Sequence, residues 1–360
     1  MNACKTILVM AGGTGGHIFP ALAVADVLRE QGWRVVWLGN PNGMEAKLVP
    51  TRGYECAWVE FGALRGKGLQ RKLMLPVNLL RACLAARRVI REVRPDVVLG
   101  MGGYITFPGG VMARLSGVPL VVHEQNAVAG LANKALSRIA TRVLTGFPDV
   151  LPNGAWVGNP VRAEIAALPE PRQRYAARGA SEALHVLVVG GSLGAQALNQ
   201  SMPQAVAALM ENERPRIRHQ TGPRDVDSVQ AAYAAVGVAA DVQPFIDDMA
   251  EALAWADLVV CRSGALTVAE LAAAGVASVL IPFPHAVDDH QRVNAEFLVV
   301  GHQGRAAGHC VVQRDLTPAG LAALLQQPRA ELLAQAVAAR ALARAEAAQA
   351  VADICKELAA

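Results

Sequence analysis

Two glycine-rich stretches in this sequence have the spacing of loops that bind phosphate. Gly12-Gly13-Thr14-Gly15-Gly16 follows the apolar run 6–10, and Gly190-Gly191-Ser192-Leu193-Gly194 follows 186–189. Each pattern predicts a strand, a glycine turn and a helix, an arrangement in which backbone N–H groups and the helix dipole favour phosphate. The alternative is a tight turn whose glycines are needed only for a positive φ. Two matching loops favour a ligand over that alternative.

The spacing of these glycines excludes two common nucleotide motifs. A dinucleotide G-x-G-x-x-G would need glycine where Ile18 stands, and no acid is recognised after the second strand, which ends Leu38-Gly39-Asn40. No G-x-x-x-x-G-K-[ST] is present, so the chain is not a P-loop NTPase. Asp225-Val226-Asp227 spells the D-x-D of some metal-dependent glycosyltransferases, but its position away from a strand end favours a charged helix start.

Three groups of polar residues are candidates for catalysis or binding. His17 opens the first helix, where the dipole disfavours imidazolium, so it is either a neutral proton acceptor or a packing residue. His123-Glu124-Gln125-Asn126 follows the strand 120–122, at the end of an α/β sheet where ligands bind, although a solvated loop is the alternative. Glu270 by itself is interpreted as structural, because Thr267-x-x-Glu270 matches a capping box.

Short β-branched runs alternate with helical segments, which predicts parallel sheets built from βαβ units. Strands are expected at 6–10, 35–38, 97–99, 120–122, 186–189, 258–260 and 278–281, with helices including 21–31 and 265–274. The two halves repeat one plan, so we expect two Rossmann-like domains with a seam near Gly158-Asn159-Pro160. The Ala-rich tail 330–360 should form one or two closing helices.

The composition agrees with this plan and narrows the function classes. A chain of 360 residues that is 53% hydrophobic and 18% charged suits two folded domains and excludes a disordered protein. The six cysteines are scattered, which excludes a disulfide framework or a zinc motif and suits a reducing compartment. No signal peptide or membrane-spanning run is recognisable, so a soluble, cytoplasmic chain is expected.

The net charge of +4 conceals a basic first half, because residues 1–160 carry +9 and residues 161–360 carry −5. Nine basic residues lie between Arg65 and Arg94 against one acid, Glu92, which indicates a membrane surface, a nucleic acid or a phosphorylated substrate as partner. Almost no aromatic residues interleave there, so a nucleic-acid role is the least favoured. If that partner is a membrane surface, the candidate contact is an apolar tip with basic flanks, formed by Arg71, Lys72, Leu73, Met74 and Leu75. A helical stripe follows it and could instead pack on the sheet: Leu79, Leu80, Cys83, Leu84, Ile90 and Val93.

Seven blocks, in order along the chain, together closely resemble the peptidoglycan N-acetylglucosaminyltransferases of glycosyltransferase family 28. They are Gly12-Gly13-Thr14-Gly15-Gly16-His17-Ile18-Phe19-Pro20, Gly102-Gly103-Tyr104, His123-Glu124-Gln125-Asn126, Gly158-Asn159-Pro160-Val161-Arg162, Gly190-Gly191-Ser192-Leu193-Gly194-Ala195, Phe245-Ile246-Asp247-Asp248-Met249 and Arg262-Ser263-Gly264-Ala265-Leu266-Thr267-Val268-Ala269-Glu270.

The resemblance implies a GT-B α/β fold, with two Rossmann-like domains facing a cleft and a C-terminal helix, about 343–360, crossing back to the N-terminal domain. Domain 1–160 would bind the acceptor and dock on the membrane, and domain 161–342 would bind UDP-N-acetylglucosamine. The implied reaction moves N-acetylglucosamine, with inversion, to the 4-hydroxyl of the N-acetylmuramoyl sugar of undecaprenyl-pyrophosphoryl-N-acetylmuramoyl-pentapeptide (lipid I). The products would be lipid II and UDP, without a cofactor or essential metal.

The resemblance also implies a place in the cell and a set of donor contacts. The family acts peripherally at the cytoplasmic face of the inner membrane, in peptidoglycan synthesis, cell shape and division, with anionic lipids and cell-wall synthesis proteins as expected partners. Ile246 would hold uracil through its backbone, and Glu270 the ribose hydroxyls. Matching motif positions places donor contacts on Thr14, Gly15, Gly16, Asn126, Arg162, Ser192, Ile246, Ala265, Leu266, Thr267, Val268, Ala269, Glu270 and Gln291.

An inverting transfer needs positioning, a base and stabilisation of the leaving diphosphate. The backbone of Gly190, Gly191 and Gly194, with the hydroxyl of Ser192, is predicted to bind that diphosphate. His17 is the predicted base, with Glu124 as the second candidate or as the residue that orients it. A transferase with a soluble acceptor, a sugar-nucleotide epimerase on the same plan and a non-catalytic UDP-sugar-binding protein stay open as alternatives.

Overall fold

The computed structural model describes residues 4–61, 74–179, 182–191 and 194–360. It divides into two compact units, the first formed by Met1–Arg162 with Arg344–Ala360 and the second by Ala163–Ala343. The predicted seam at 158–160 therefore lies just before the first change of unit.

Unit 1 is a parallel sheet with helices packed on it. Its strands follow the order β3-β2-β1-β4-β5-β6-β7, and the central ones are buried along their whole length, as expected when helices cover both faces. The strands are β1 Thr6–Met10, β2 Arg34–Gly39, β3 Glu55–Trp58, β4 Val97–Gly100, β5 Leu120–Glu124, β6 Arg142–Thr145 and β7 Ala155–Trp156. The helices before the change of unit are α1 Gly15–Glu30, α2 Glu45–Thr51, α3 Leu75–Val93, α4 Thr106–Leu115 and α5 Leu131–Leu136.

Unit 2 repeats this plan with the strand order β10-β9-β8-β11-β12-β13. Its strands are β8 His185–Val189, β9 Arg216–Gln220, β10 Ala240–Gln243, β11 Leu258–Cys261, β12 Ala277–Leu280 and β13 Gly308–Cys310. Its helices are α6 Ala163–Ala166, α7 Pro171–Ala176, α8 Gln196–Ala207, α9 Val226–Ala235, α10 Met249–Trp255, α11 Ala265–Ala274, α12 His290–Val300, α13 Pro318–Leu325 and α14 Arg329–Leu342. Short 3-10 turns lie at Glu211–Glu213, Val287–Asp289 and Gln313–Asp315.

The last helix, α15 (Ala347–Leu358), belongs to unit 1 although it follows unit 2 in the chain. Val351, Ala352 and Cys355 are fully buried in the core formed by α1 and one face of the sheet. The ammonium group of Lys5 also donates to the carbonyl oxygen of Ala359 at 2.5 Å. An apolar face on one side of an otherwise polar helix explains why this segment docks.

All seven predicted strand runs are strands, and the predicted helix 265–274 coincides with α11. Helix α1 begins six residues before the predicted start, because Pro20 lies inside the helix rather than at its beginning. Proline usually ends or kinks a helix, but here it only leaves the carbonyl of Gly16 without its helical N–H donor, and the helix continues. Both α1 and α8 begin directly after a glycine loop, which positions the helix N-termini that the site needs.

Candidate active site

In both units the candidate residues follow the carboxyl ends of central strands. Strand β1 lies between β2 and β4, and β8 lies between β9 and β11, so the connections leave in opposite directions at these points. Such switch points leave a crevice in open α/β sheets where ligands bind. The first glycine loop follows β1, and 123–126 spans the end of β5; the second glycine loop follows β8.

A buried carboxylate that the sequence analysis missed anchors the first glycine loop. Glu45 is 1% exposed, and its two oxygens accept the backbone N–H groups of Gly13 and Asn40, each at 3.0 Å. A Cβ on Gly12 or Gly43 would collide with this carboxylate. Glu45 thus ties the loop to the end of β2, and a lone acid near a glycine-rich strand end was the only signal for it.

His17 lies in the first turn of α1 and is half-buried. Its Nδ1 is 2.8 Å from Oε1 of Gln125. A Cβ on Gly102, which has φ +97, would lie 2.6 Å from the same Nδ1, so glycine is required there for the ring to fit. The Thr14 carbonyl accepts the N–H of His17 at 3.1 Å, and Thr14, Gly15 and Gly16 begin the helix beside it.

The interpretation of Glu124 as the residue that orients His17 is wrong, because Gln125 occupies that position. Glu124 is 1% exposed, and one of its oxygens accepts the N–H of Asn126 at 2.9 Å. The other oxygen accepts the N–H of Gly130 at 3.0 Å and the side-chain amide of Asn133 at 2.8 Å. This carboxylate holds the loop after β5 in shape, and with it the backbone of Asn126.

The second glycine loop is shaped by contacts as well as by φ. Gly191 and Gly194 have φ of +85 and +78, whereas Gly190 has no positive φ. A Cβ on Gly190 would overlap the backbone N of Ala195, and one on Gly194 would overlap the carbonyl of Thr221. The alternative in which these glycines serve only a positive φ therefore does not account for Gly190. Ser192, predicted as a hydroxyl donor to the diphosphate, lies outside the described residues.

A cavity of about 550 Å³ in unit 2 opens beside this loop. It brings together the predicted Gly190, Gly191, Gly194, Thr267 and Gln291. Oε1 of Gln291 accepts the N–H of Phe283 at 2.9 Å, which holds its side chain at the cavity. Several other residues that were not predicted as contacts also line the cavity, among them Gln196, Gln200, Arg262, Phe283, His285 and Gln313.

Arg262 supplies a fixed cation at this cavity. One nitrogen of its guanidinium donates to the carbonyls of Ile281 and Pro282 at 3.0 and 3.1 Å, and another donates to Gln313 at 2.7 Å. These carbonyl and amide oxygens hold the guanidinium in place at the cavity. A cation and a helix N-terminus beside a glycine loop are suited to a diphosphate.

The other residues predicted to contact the donor differ in which of their groups are available to a ligand. Ile246 is buried, and its N–H already donates to Oε1 of Gln220 at 3.0 Å, which leaves its carbonyl as the polar group for a ligand N–H. The Nε2 of Gln220 donates to the carbonyl of Gly191 at 3.1 Å, so one amide joins the two predicted contacts. Val268 is fully buried, so its side chain belongs to the core, and its N–H donates to the carbonyl of Gly264 at 2.9 Å.

The capping-box interpretation of Thr267 and Glu270 is wrong. Helix α11 begins at Ala265 with Gly264 as its N-cap, and no side chain makes a cap hydrogen bond. Thr267 is therefore the third residue of the helix and not its N-cap. Glu270 lies in the second turn and is 8% exposed. Ala265, Leu266 and Ala269 belong to the same two turns. Arg162 is the last residue of unit 1 before the chain changes unit.

The D-x-D sequence is a helix start, as predicted. Asp225 is the N-cap residue of α9, Asp227 lies in its first turn, and Oδ2 of Asp225 accepts the amide of Asn199 at 2.9 Å. In the described part of the chain, no group of three or more His, Cys, Asp or Glu is placed to hold a metal ion.

Helix α3 of unit 1 has two different faces. Ala82, Ala86 and Ile90 are buried against the sheet, and Leu79 and Val93 pack beside them. The predicted stripe therefore divides, because Leu80 and Leu84 are 61% and 57% exposed on the other side. Val77 is also exposed and lies on the same side of the helix as Leu80 and Leu84, because the three residues are three and four positions apart. Four arginines of α3 are exposed as well: Arg81, Arg87, Arg88 and Arg91.

The predicted apolar tip is only partly described. Met74 is 47% exposed, and Leu75 is half-buried at the start of α3. Arg71, Lys72 and Leu73 lie outside the described residues. Among the helices in the described ranges, none combines the length and the apolar character needed to cross a bilayer.

Comparison with known proteins places these features in a family. Residues 7–145 match the glycosyltransferase family 28 N-terminal domain, and residues 185–358 match its C-terminal domain. The chain is 62% identical to the UDP-N-acetylglucosamine–N-acetylmuramyl-(pentapeptide) pyrophosphoryl-undecaprenol N-acetylglucosamine transferase of Dechloromonas aromatica, over 99% of both chains. It is 60% identical to the transferase of the same name from Cupriavidus metallidurans, over 99% of this chain and 98% of the relative.

A solved structure gives the same result. The crystal structure of Acinetobacter baumannii MurG is similar at 42% identity and a TM-score of 0.85, covering 98% of this chain and 99% of that one. The two parallel-sheet units are those of the GT-B fold, so the predicted fold class is confirmed. The chain therefore belongs to glycosyltransferase family 28.

Proposed function

We propose that this chain transfers N-acetylglucosamine from UDP-N-acetylglucosamine to the 4-hydroxyl of the N-acetylmuramoyl sugar of lipid I, forming lipid II and UDP. The observation that carries the proposal is the identity of 62% over 99% of both chains to a transferase named for this donor and acceptor. The glycine loops and the His17–Gln125 pair lie where an α/β sheet binds ligands, which supports it from the geometry.

We assign most of the donor contacts to unit 2. The diphosphate would lie against the backbone of Gly190, Gly191 and Gly194 before the start of α8, with Arg262 as the nearby cation. Preorganised donors of this kind contribute about 3–4 kcal/mol each to stabilising a developing charge. The uracil N3–H would donate to the carbonyl of Ile246, and the hydroxyls of ribose would bond to Glu270. Thr14, Gly15, Gly16, Asn126 and Arg162 are proposed as further donor contacts.

His17 is proposed as the general base that takes the proton of the attacking hydroxyl. Its imidazole is partly accessible, and the hydrogen bond to Gln125 leaves Nε2 as the ring atom available to a substrate. Glu124 is the weaker candidate, because both of its oxygens already accept backbone or amide N–H groups. We expect His17→Ala to lower turnover by about 10²–10⁴-fold with donor binding retained.

Helix α3 is proposed to dock on the anionic lipids of the cytoplasmic face of the membrane, where the lipid acceptor is anchored. Leu80 and Leu84 form an exposed apolar stripe flanked by arginines, and Leu115 at the end of α4, which packs on α3, is 75% exposed. Each basic residue near an anionic surface contributes about 1 kcal/mol, and the leucines add burial in the interface. We also propose contacts with other cell-wall synthesis proteins, because lipid I is available at this membrane.

The reaction is tested by measuring UDP release from UDP-N-acetylglucosamine, with and without a lipid I analogue, in EDTA. We expect release that requires the acceptor and is unaffected by the chelator, since fixed N–H groups and Arg262 are proposed to stabilise the diphosphate. Release without acceptor would indicate hydrolysis, and conversion of the sugar would indicate an epimerase. Donor binding without any turnover would indicate a binding protein or a different acceptor.

Docking is tested by binding to vesicles that contain anionic phospholipid. The paired change Leu80→Ser and Leu84→Ser should lower binding at least about tenfold, because more than half of each side chain is available for burial. Val300→Ser is the matched control, since Val300 is 74% exposed at the end of α12 in unit 2. Equal vesicle binding by the paired variant and the control would contradict docking through α3.

A further inference from the structure

A line of hydrogen bonds leads from His17 into the interior of unit 1. Nδ1 of His17 is 2.8 Å from Oε1 of Gln125, and Nε2 of Gln125 is 3.0 Å from Nδ1 of His123. Nε2 of His123 is in turn 2.9 Å from the carbonyl oxygen of Gly158. Gln125 and His123 are 1% and 0% exposed, so water does not compete for these bonds.

The orientation of the Gln125 amide follows from its backbone partner. Its Nε2 lies 3.0 Å from the carbonyl oxygen of His123 as well as 3.0 Å from the ring. A carbonyl oxygen only accepts, so the NH₂ group must be on that side and Oε1 must face His17. The other end of the line agrees, because the carbonyl of Gly158 requires a proton on Nε2 of His123. Nδ1 of neutral His123 is then the acceptor that the second amide proton needs.

His123 can accept this hydrogen bond from Gln125 because its ring stays neutral. Burial lowers its pKa to about 4, so near pH 7 it carries one ring proton. A second proton on Nδ1 would set a donor against the NH₂ group of Gln125. Asn159 donates to the backbone carbonyl of Gln125 at 2.9 Å, and Asn133 donates to the carbonyl of His123 at 3.2 Å, which hold the two backbone groups in place.

We propose that Gln125 is a positioning residue that fixes the tautomer of His17, with the proton on Nδ1 and the lone pair on Nε2. Since Oε1 can only accept, the Nδ1 of His17 must donate to it, and Nε2 is left to accept a proton. The consequence for catalysis rests on the proposed function. There, as the acceptor oxygen bonds to the anomeric carbon, its proton moves to Nε2 and UDP departs with the electrons of the broken bond.

The neutral amide of Gln125 also stabilises His17 after the proton transfer. When Nε2 takes the proton, the resulting imidazolium keeps its bond from Nδ1–H to Oε1, and the carbonyl dipole of Gln125 stabilises the charge. Histidine bases in other enzymes are oriented by a partner at the second ring nitrogen, and replacing a partner so that the wrong tautomer forms lowers kcat by about 10⁴-fold. Here the orienting group is an amide whose own direction is set by His123.

The tautomer can be measured without substrate. The full-length protein is labelled with ¹⁵N-histidine, and long-range ¹H–¹⁵N correlation spectra are recorded near pH 7, with His17→Ala used to assign the signals. We expect His17 to show a protonated Nδ1 and an unprotonated Nε2 in the unaltered protein, and His123 to show the opposite pattern. A His17 that is protonated on Nε2 would overturn the inference, whether or not the enzyme is active.

Variants separate this inference from the proposed function. Gln125→Met keeps the size of the side chain but has no acceptor, so we expect the tautomer signature of His17 to change and kcat to fall at least about tenfold, up to the loss caused by His17→Ala. KM for UDP-N-acetylglucosamine should stay the same, and Gln125→Met should have no further effect in the His17→Ala background. Gln31→Met, at an exposed glutamine of unit 1, is the matched control and should change neither.

The tautomer of His17 tests the inference about Gln125, and the activity of His17→Ala tests the proposed base. An Nδ1–H tautomer with full activity in His17→Ala would support the inference about Gln125 and refute His17 as the base. An Nε2–H tautomer with an inactive His17→Ala would refute the inference about Gln125 but would still show that turnover requires His17. A Gln125→Met variant with the unchanged tautomer signature would also refute it.

Discussion

The shape of the second glycine loop leads to a prediction about Gly194. Gly194→Ala introduces a Cβ at a residue with φ +78, where an L-residue costs about 1–2 kcal/mol. The same Cβ would overlap the carbonyl oxygen of Thr221, well inside the 3.0 Å that real contacts of this kind keep. That carbonyl accepts the amide of Asn199 at 3.2 Å, so moving it also weakens a hydrogen bond of about 1 kcal/mol.

The substitution therefore destabilises the present shape of the loop by about 2–3 kcal/mol. If the loop adopts another shape instead, its N–H groups no longer point at a diphosphate. We expect the affinity for UDP to fall by roughly 30- to 150-fold, since about 1.4 kcal/mol corresponds to a factor of ten. Isothermal titration of UDP into the full chain measures this change, and urea unfolding at the same temperature measures the accompanying loss of stability.

Two other glycines separate steric overlap from φ. Gly237 has φ +66 and Gly191 has φ +85, and a Cβ on either would meet nothing within 4 Å. Gly237→Ala should lower stability by about 1–2 kcal/mol with unchanged UDP affinity, because it lies in the turn after α9. Gly191→Ala should weaken UDP binding less than Gly194→Ala. If Gly194→Ala binds UDP as tightly as the unaltered chain, the loop is not the diphosphate site and the reasoning is refuted.

Three further predictions follow from the buried polar groups. Burial lowers the pKa of His219 to about 3, below its ordinary 6.5, so the stability it contributes is complete above pH 6.5 and is lost as the pH falls toward 3. Urea unfolding should show the cost of His219→Gln shrinking by about 2 kcal/mol between pH 7 and pH 5, and a pH-independent cost would contradict this. Glu45→Gln should lower the unfolding free energy by about 1.5–3 kcal/mol, because an amide group replaces one acceptor for Gly13 or Asn40; an unchanged urea midpoint would show that the carboxylate is not needed. UDP should bind at least about tenfold more tightly than CDP in competition titrations, because only uracil has an N3–H for the carbonyl of Ile246, and equal affinities would rule out that contact.

The strands that the sequence predicted are the central ones, and those it missed lie mostly toward the sheet edges. Strands β1, β4, β8 and β11 are continuous apolar runs because helices cover both of their faces. Strands β9 and β10 read Arg-Ile-Arg-His-Gln and Ala-Asp-Val-Gln, with polar residues that a pattern of hydrophobic runs does not select. Helix α11 was predicted with its correct bounds, but Thr267 was taken as its cap because Gly264 has no side chain to signal a cap.

The two-fold plan, the glycine loops, the family and His17 as a candidate base could all be predicted from the amino-acid sequence. These depend on local patterns, since periodicity, glycine spacing and charge are properties of neighbouring residues. Which of these residues contact one another depends on the packing of distant segments. The parallel register places Gly100 beside both Met10 and Val122, and so brings the ends of β1 and β5 together across β4. That register pairs His17 with Gln125, 108 residues away, instead of with the neighbouring Glu124. The packing of α3 likewise buried Ile90 and exposed Leu80, although both are apolar residues of one helix, because only one face of a helix can lie against the sheet.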